Sequence, residues 1–507
     1  MTDRSVSYIR NEFVEPRRAP VKTTGVVGFL RERLFSSPFN IMLTLASALL
    51  LWFTIIPSVK FLLIDAVWSG SDRNACLAAN AGRDVGACWP FIQAKFEQFV
   101  YGFYPAAQRW RVNLTFVLGA LLLLPLLIPR APLKSLNSGL FFVAYPVVGF
   151  FLLHGGGLRG FAVSWSARLL SALATEFQDA GDRLTRNGET MNDLIGQGVV
   201  LIGKLISLFG QILGGIAWPF VWLRDVIATT AQPFWFDFVA TAIVVSVIAF
   251  VATGGLRNGH RALLRSVTMF AAMAIVIKIM ALDTGGLPVV DTRLWGGLLV
   301  TLVVSVTGIV ASMPVGMALA LGRRSTIPLI RIFCIAFIEF WRGVPLITVL
   351  FFATYMLPLF LPGGFTVDGL VRVLIGIALF AGAYNAEVIR GGLQAIPRGQ
   401  PEAASALGLS YWKTTGLIVM PQALRHVIPG LVNSFIALFK DTTLVLIVAI
   451  FDLLGQLRAS FADPNWATPT TLFTGFAFTG IIYFVFCFGM SRYSLFVERR
   501  LNAHKNV

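Results

Sequence analysis

Long runs of apolar residues are the feature that most constrains how this chain can fold. Several of them, such as 41–63 and 294–321, exceed the ~18 residues that a helix needs to cross a bilayer. The 507 residues are 56% hydrophobic and only 13% charged, whereas a soluble domain is typically about 25% charged. The sequence therefore predicts an all-α polytopic membrane protein.

The positions of lysine and arginine orient these runs, because cytoplasmic loops carry an excess of both residues. Segment 1–38 is basic, and the last apolar run ends at Arg492, Arg499 and Arg500. We therefore expect a cytoplasmic basic tail at 1–38, a second cytoplasmic tail at 496–507, and both termini inside. The predicted transmembrane helices number about ten and lie at 41–63, 114–128, 140–153, 238–251, 266–282, 294–321, 345–361, 370–388, 432–454 and 472–490.

The N-terminal half is predicted to have two parts. Segment 39–154 forms three transmembrane helices with a periplasmic loop at 69–111, and 155–291 is an insertion with periplasmic or interfacial helices and a transmembrane hairpin. Run 198–222 is apolar enough to cross but carries Lys204 in its middle. We expect it to lie on or partly in the membrane, because a crossing would place the basic turn around Arg257 outside. The other interpretation makes 198–222 a true span.

The net charge of +16 does not indicate a nucleic-acid partner. The basic residues fall mostly in short segments that flank apolar runs, as the positive-inside rule produces, and are not interleaved with aromatic residues on a soluble face. Membrane lipid is the expected partner of the apolar surface.

Two of the four cysteines, Cys76 and Cys88, share the polar loop 69–111. If that loop is periplasmic, a disulfide between them is favoured and would contribute roughly 3 kcal/mol by closing a short loop. Two free thiols are the alternative. Cys334 and Cys487 lie in apolar runs and are predicted to be inert packing residues.

A polar island at 391–426 separates two apolar runs of the C-terminal half. It contains Pro401-Glu402-Ala403-Ala404-Ser405-Ala406-Leu407-Gly408 and then Ile418-Val419-Met420-Pro421. Pro401 suits a first helical turn, and Glu402 near a helix N-terminus interacts favourably with the helix dipole. The small residues keep one face of this helix low, so that it could lie in a cleft on another protein. A solvated loop helix between two spans is the plainer interpretation.

The island resembles the coupling loop of the membrane permeases of binding-protein-dependent ABC importers. The motif positions are occupied by Glu402, Ala403, Ala404, Gly408, Ile418 and Pro421, with Met420 where leucine is usual. Three further blocks resemble the polar amino-acid branch of these permeases, and in particular the larger permease of general L-amino-acid importers. They are Phe340-Trp341-Arg342-Gly343-Val344-Pro345-Leu346, Ala383-Tyr384-Asn385-Ala386-Glu387-Val388-Ile389-Arg390-Gly391-Gly392 and Phe439-Lys440-Asp441-Thr442-Thr443-Leu444.

The resemblance implies that 292–495 is a five-helix type I importer domain in a bacterial inner membrane. It implies a second homologous permease, a periplasmic amino-acid-binding protein, and two cytoplasmic ABC ATPases that dock on Glu402, Ala403, Ala404, Gly408 and Pro421. The bulk of the N-terminal half favours a heterodimer of permeases. ATP and Mg would be used by the ATPase, so this chain is expected to hold no cofactor and to catalyse no reaction.

One segment mimics a nucleotide site. Gly198–Lys204 has the glycine and lysine spacing that begins a phosphate loop, but Leu205 stands where serine or threonine is required. The segment also lies in an apolar run without the strand–loop–helix context, so the match is coincidental.

Ionisable residues within apolar runs are costly and commonly line a pathway or pair with one another. Glu339 and Arg342 are three residues apart, as are Glu387 and Arg390, so each pair can form an ion pair on one helix face. An amino-acid substrate carries charges of both signs. The candidates for its path are Glu387, Lys440, Asp441, Asn385 and Arg342. Internal salt bridges that fix helix packing or lie at the cytoplasmic rim are the alternative for these charges.

Two other classes of membrane protein are less compatible with these features. An ion-gradient-driven secondary transporter would use internal repeats and needs no ATPase-docking island. A non-transporting scaffold does not need charge pairs in its spans. The four histidines are scattered without ligand spacing, so no metal site is predicted.

Overall fold

The computed structural model describes residues 25–77, 84–128, 131–155, 170–191, 194–227, 233–252, 259–280, 287–360 and 367–502. Within these ranges the regular secondary structure is helical, and only isolated β-bridges occur besides it. The predicted all-α polytopic membrane fold is therefore confirmed. Outside the described residues lie most of the predicted tail 1–38, the end of the tail 496–507, and Arg257 of the predicted basic turn.

The described part of the N-terminal half contains eight longer helices. They are α1 (Pro38–Val59), α2 (Trp89–Tyr101), α3 (Arg109–Leu127), α4 (Tyr145–His154), α5 (Leu170–Glu189), α6 (Leu194–Ile227), α7 (Pro233–Ala252) and α8 (His260–Met280). Shorter helical turns lie at Gly25–Phe29 and Lys134–Gly139.

In the C-terminal half, eight helices of varied length are numbered among the described residues. They are α9 (Gly297–Gly322), α10 (Pro328–Gly343), α11 (Leu346–Phe351), α12 (Gly369–Gln394), α13 (Gly399–Ala406), α14 (Met420–Asp441), α15 (Leu453–Ser460) and α16 (Thr471–Asn502). Helix α11 continues through a π-helical turn into Leu357–Phe360, and α14 is preceded by Tyr411–Thr414 and the π-helical turn Thr415–Val419.

Among the described residues, eight helices are long and apolar enough to cross a membrane, or nine if α10 and α11 are one bent span. The predicted number was about ten. The difference lies in the insertion: α6 satisfies the length and composition criterion, whereas α7 and α8 contain only the shorter apolar segments Asp237–Ile248 and Ala262–Ile275.

The chain divides into two compact units, Met1–Ala94 with Asp463–Gly475, and Lys95–Ala462 with Phe476–Val507. In the first unit, the Ser37 side chain caps α1 by accepting a hydrogen bond from the Asn40 N–H. None of the apolar core of α1 is buried, as expected of a helix that faces lipid. A disulfide joins Cys76 to Cys88 with a Cα–Cα distance of 5.7 Å, and the Cys88 N–H donates to Thr474 Oγ1.

The core of the second unit is built from α9, α12 and α14, which pack closely through small residues. A methyl group at Gly316 would lie 2.9 Å from Asn385 Cβ, and one at Gly392 would lie 2.6 Å from the carbonyl oxygen of Ala423. Leu299, Ile377 and Leu438 are buried in the part of this core near the start of α9, and Ile338 in the part near its end. The free cysteines Cys334 and Cys487 lie in helices of this unit, Cys334 buried and Cys487 half-buried.

Helix α10 meets α11 at an angle of 104°. The break is at Val344-Pro345: Val344 is extended, as the residue before proline prefers, and Pro345 has no N–H with which to continue the helix. The predicted span 345–361 therefore starts at this break, and α10 is a separate amphipathic helix.

The predicted span 432–454 is placed differently by the structure. The helical segment runs from Tyr411 to Val448, so the second half of the polar island belongs to it, because a helix can continue beyond the bilayer with one polar face. The α-helix ends at Asp441, and the chain turns at Ala449 with φ of 61°. The residues just after the predicted span form the short helix α15, in which Gln456 is fully buried.

A fully buried arginine ties the start of α9 to the preceding helices. Arg111 of α3 was predicted to lie in the polar loop 69–111, but its side chain is 0% exposed. It donates hydrogen bonds to Tyr104 Oη and to the carbonyl oxygens of Leu153 and Pro288. Neutral oxygens from three segments thus replace the water that the guanidinium loses.

Candidate functional site

The polar island contains a short, exposed helix with a well-defined end. Helix α13 ends in a Schellman motif, in which the Leu409 N–H donates to the Ala404 carbonyl and the Gly408 N–H donates to the Ser405 carbonyl. Gly408 has φ of +73°, in the left-handed region that side chains other than glycine rarely adopt. This geometry explains why glycine stands at that position of the motif.

The side chains of α13 divide between an outer and an inner face. Glu402 and Ala403 are exposed, whereas Ala404 is 1% exposed. We expected all the small residues of the motif to form one low outer face, and for Ala404 this is wrong: it faces the rest of the chain, where α13 packs on the π-helical turn Thr415–Val419. Pro421 is exposed in the first turn of α14.

Large apolar side chains surround α13 on the exposed surface. Leu407 is 80% exposed and Trp412 is 73% exposed. Tyr411 and Leu417 are likewise exposed. Apolar side chains this exposed on a polar loop are typical of a surface that another protein covers.

Charged residues at the end of α9 form a cluster with α10 and α12. Arg323 Nη1 lies 3.3 Å from Glu339 Oε1 and 3.2 Å from Glu387 Oε2. Arg390 Nε donates to Glu387 Oε1, and Arg342 Nη1 lies 4.0 Å from Glu339 Oε2. Both sequence-predicted pairs are present, and Arg323 joins them. The contacts of Arg323 could not be predicted from the sequence, because nothing in local spacing indicates them.

The five predicted path residues lie at three separate places in the structure. Glu387 and Arg342 belong to the charge cluster. Asn385 is 1% exposed and donates to Ser312 Oγ at the contact between α9 and α12, so it serves helix packing and does not line a path.

Lys440 and Asp441 lie at a different depth. They end α14, next to Leu438, which meets Ile377 of α12 beside Gly308. Ile377 and Glu387 are ten residues apart on α12, which at 1.5 Å per residue is about 15 Å. Lys440 is exposed and Asp441 half-buried. The charge cluster and this pair are therefore two separate features along one helix bundle.

The sequence interpretation missed Asp452, a buried carboxylate beyond the end of the Tyr411–Val448 segment. Its Oδ1 accepts from the Gly455 N–H and its Oδ2 from the Leu454 N–H and from Tyr483 Oη. Burial raises the pKa of this carboxyl, although the hydrogen bonds act to lower it. Asp followed by Leu-Leu-Gly-Gln-Leu is an N-cap pattern that could have indicated the position.

Comparison with known proteins agrees with this architecture. Residues 312–503 match the model of the binding-protein-dependent transport system inner membrane component. Over 96% of both chains, the sequence is 35% identical to the inner membrane amino-acid ABC transporter permease protein YhdY of Escherichia coli (strain K12). The chain belongs to the family of amino-acid ABC transporter permeases. It is thus a multi-pass inner-membrane protein of an ABC importer family, as the motif resemblance predicted.

Another relative extends over the whole permease as well. The glutamate/glutamine/aspartate/asparagine transport system permease protein BztC of Rhodobacter capsulatus is 37% identical over 98% of both chains. A solved structure titled as an amino acid ABC transporter is 29% identical, covers 40% of this permease and 92% of its own chain, and has a TM-score of 0.36. The N-terminal half of this permease thus has counterparts in YhdY and BztC.

Proposed function

We propose that this chain is one permease subunit of an ATP-driven importer of L-amino acids, and that α13 is the helix on which an ATPase acts. The observation that carries the proposal is a short helix, closed by Gly408 in a Schellman motif, with exposed Glu402 and a rim of exposed apolar residues. The family membership of the chain supports the same assignment.

The exposed surface of α13 has the composition of a protein-docking site. Glu402 offers a charge to the partner, while Ala403 lets the helix approach closely and Leu407 and Trp412 offer apolar area. ATP and Mg would be used by the partner; segment 198–204 of this chain lacks the serine or threonine of a phosphate loop. Two ATPase subunits would dock in this way, one on this permease and one on a second, homologous permease.

The basic flank at Arg323 and Arg324 supports a cytoplasmic location for the end of α9 and for α13. By the same rule, both termini would lie on that side. A periplasmic amino-acid-binding protein would then deliver substrate at the opposite side. Movement of docked α13 helices would drive alternating access between the two sides.

The substrate class follows from the relatives and from the charges of the bundle. YhdY is described as an amino-acid permease, and BztC as a permease for glutamate, glutamine, aspartate and asparagine. Lys440 and Asp441 offer both charge signs at one depth of the bundle, which suits the carboxylate and ammonium of an amino acid. They are our candidates for the substrate path.

The test is ATP-dependent uptake by the purified complex in proteoliposomes. The permease should copurify with an ATPase. The Glu402→Lys variant should lose uptake and should no longer stimulate ATP hydrolysis by that ATPase, while the membrane subunits remain assembled. Glu189→Lys, the same charge reversal at an exposed position of α5, serves as the matched control. Uptake that needs an ion gradient and proceeds without ATP would instead establish a secondary transporter.

A further inference from the structure

Helices α5 and α6 form an antiparallel hairpin with an unusually close contact. Small buried residues recur every seven positions on both helices. They are Ala174, Gly181 and Gly188 on α5, and Gly196, Gly203, Gly210 and Ala217 on α6. A methyl group at Gly203 would lie 2.8 Å from the carbonyl oxygen of Gly181, and one at Gly210 would lie 2.8 Å from that of Ala174. The two backbones are therefore in contact along the seam, and the hairpin is one rigid element.

The hairpin has a charged side and an apolar side. The charged side chains of α5 are exposed and point away from the seam, and Ser207 Oγ of α6 donates to Asp182 on their edge. On the other edge, Phe177 packs against Phe209 with ring centroids 5.2 Å apart. The exposed apolar residues of α6 continue from this edge around its back. They include Leu201, Leu205, Leu208, Ile212 and Ile216.

Both ends of the hairpin connect to the same side of the membrane. Phe151, about one turn before the end of α4, shares an apolar cluster with Phe270 of α8 and with Phe238, near the start of α7. The end of α4 and the start of α7 are therefore at one depth, and an even number of crossings lies between them. Segment 156–169 is shorter than the ~20 residues that a spanning helix needs.

Helix α5 cannot supply a second crossing to accompany α6. It carries six ionisable side chains in 20 residues, Glu176, Asp179, Asp182, Arg183, Arg186 and Glu189, and each would be costly in hydrocarbon. Because α5 lies along α6, a crossing by α6 would also draw these charges into the bilayer. In addition, α6 has 34 residues and is about 51 Å long, which exceeds the ~30 Å thickness of the hydrocarbon core of a bilayer.

Helix α9 indicates on which side of the membrane the hairpin lies. The Val290 N–H, just before α9, donates to the His154 carbonyl at the end of α4. The far end of α9 carries Arg323 and Arg324, which face the cytoplasm. The end of α4, and with it the hairpin, is on the periplasmic side.

We propose that the α5–α6 hairpin lies flat on the periplasmic surface of the inner membrane, with the apolar side of α6 in the boundary between headgroups and acyl chains and the charges of α5 in water. The occupant is the phospholipid bilayer itself, because the hairpin begins and ends at membrane helices and separates its charges from a continuous apolar side, as in-plane helices do. Helix α6 meets the length and composition criterion for a span. In this proposal, its apolar side binds lipid without crossing the bilayer.

Two neighbouring positions of α6 provide the test. Gln211 is exposed on the polar edge and Ile212 is 53% exposed on the apolar side. With Cys334 and Cys487 replaced by serine, Gln211→Cys and Ile212→Cys are labelled with bimane in the full complex. The complex is then reconstituted in nanodiscs of phosphatidylcholine brominated on the upper acyl chain.

We expect the Ile212 label to shift its emission to the blue, to be quenched by brominated lipid and to be protected from aqueous iodide. The Gln211 label should show the reverse pattern. Quenching of both labels by lipid would mean that α6 crosses the bilayer and would overturn the proposal. Protection of the Ile212 label from both quenchers would overturn it in favour of a protein partner, either a second copy or the binding protein.

Discussion

Arg323 Nη1 lies 3.2 Å from Glu387 Oε2, and this contact joins the C-terminal end of α9 to α12. The same guanidinium reaches Glu339 of α10 at 3.3 Å. Helix α12 leads directly to α13, so the contact lies between the proposed ATPase-docking helix and the rest of the bundle. We therefore infer that it acts as a latch on the position of α12, not as a substrate ligand.

The latch predicts how Glu387→Gln should behave. The side chains of Arg323 and Glu387 are both about a quarter exposed. Loss of their ion pair should therefore lower the free energy of unfolding by less than ~1 kcal/mol. We expect the basal ATPase activity of the complex to rise several-fold while the KM for substrate is unchanged. The double variant Arg323→Gln with Glu387→Gln should raise the basal ATPase activity no further than Glu387→Gln alone, because both changes break the same contact. A changed KM with normal basal hydrolysis would instead assign Glu387 to the substrate path.

Replacement of Gly408 should impair coupling through backbone strain. No atom lies within 4 Å of the position that a Cβ would occupy there, so a side chain meets no steric obstacle. The φ of +73° lies in the left-handed region, where a residue other than glycine is strained. The Gly408→Val substitution should therefore destabilise this turn by more than ~1 kcal/mol. We expect strong loss of uptake with normal assembly. Gly399→Ala, at a similarly open position without positive φ, is the control and should transport normally.

Asp452 should make stability depend on pH. Burial raises the pKa of its carboxyl above the unfolded value of about 3.9. The stability it contributes is therefore complete below the unfolded pKa and is lost as pH rises through the folded pKa. Asp452→Asn can still accept at least one of the N–H groups that cap α15. We expect its melting temperature, relative to wild type, to improve from acidic to neutral pH, and an equal difference at all pH values would contradict this.

The glycine seam of the α5–α6 hairpin predicts a contrast between two positions of one helix. Gly203→Leu would place its Cβ 2.7 Å from the Thr185 nitrogen and should separate the helices. At Gly198 no atom lies within 4 Å of the same position, so Gly198→Leu should be tolerated. Limited proteolysis in proteoliposomes should show faster cleavage within α5 for the first variant only. Equal rates would show that the seam does not hold the hairpin together.

Much of the fold follows from the sequence because lipid imposes simple rules. Apolar runs must form helices that satisfy their own backbone groups, and basic flanks orient them, so the class of fold and most spans could be predicted. The short helix at Glu402 and its end at Gly408 could be predicted for a related reason. The left-handed turn at Gly408 is a local property, which a glycine at fixed distance from a short helix already indicates.

Contacts between distant segments could not be predicted. Arg323 and Glu387 are 64 residues apart, and only the packing of α9 on α12 brings them together. Asn385 has the same polarity in either role, and its burial against Ser312 is what assigns it to packing. The seven-residue spacing of Gly196, Gly203 and Gly210 was visible in the sequence, but the spacing alone does not identify the helix that packs against it.

The sequence alone is enough to predict a helical membrane protein and the position of the short helix α13, because hydropathy, charge bias and turn chemistry act over a few residues. The tertiary structure decided which charges pair, which candidate path residues are buried, and that α6 runs beside a charged helix. Those properties depend on contacts between segments far apart in the chain, and a single sequence does not specify which faces of its helices meet.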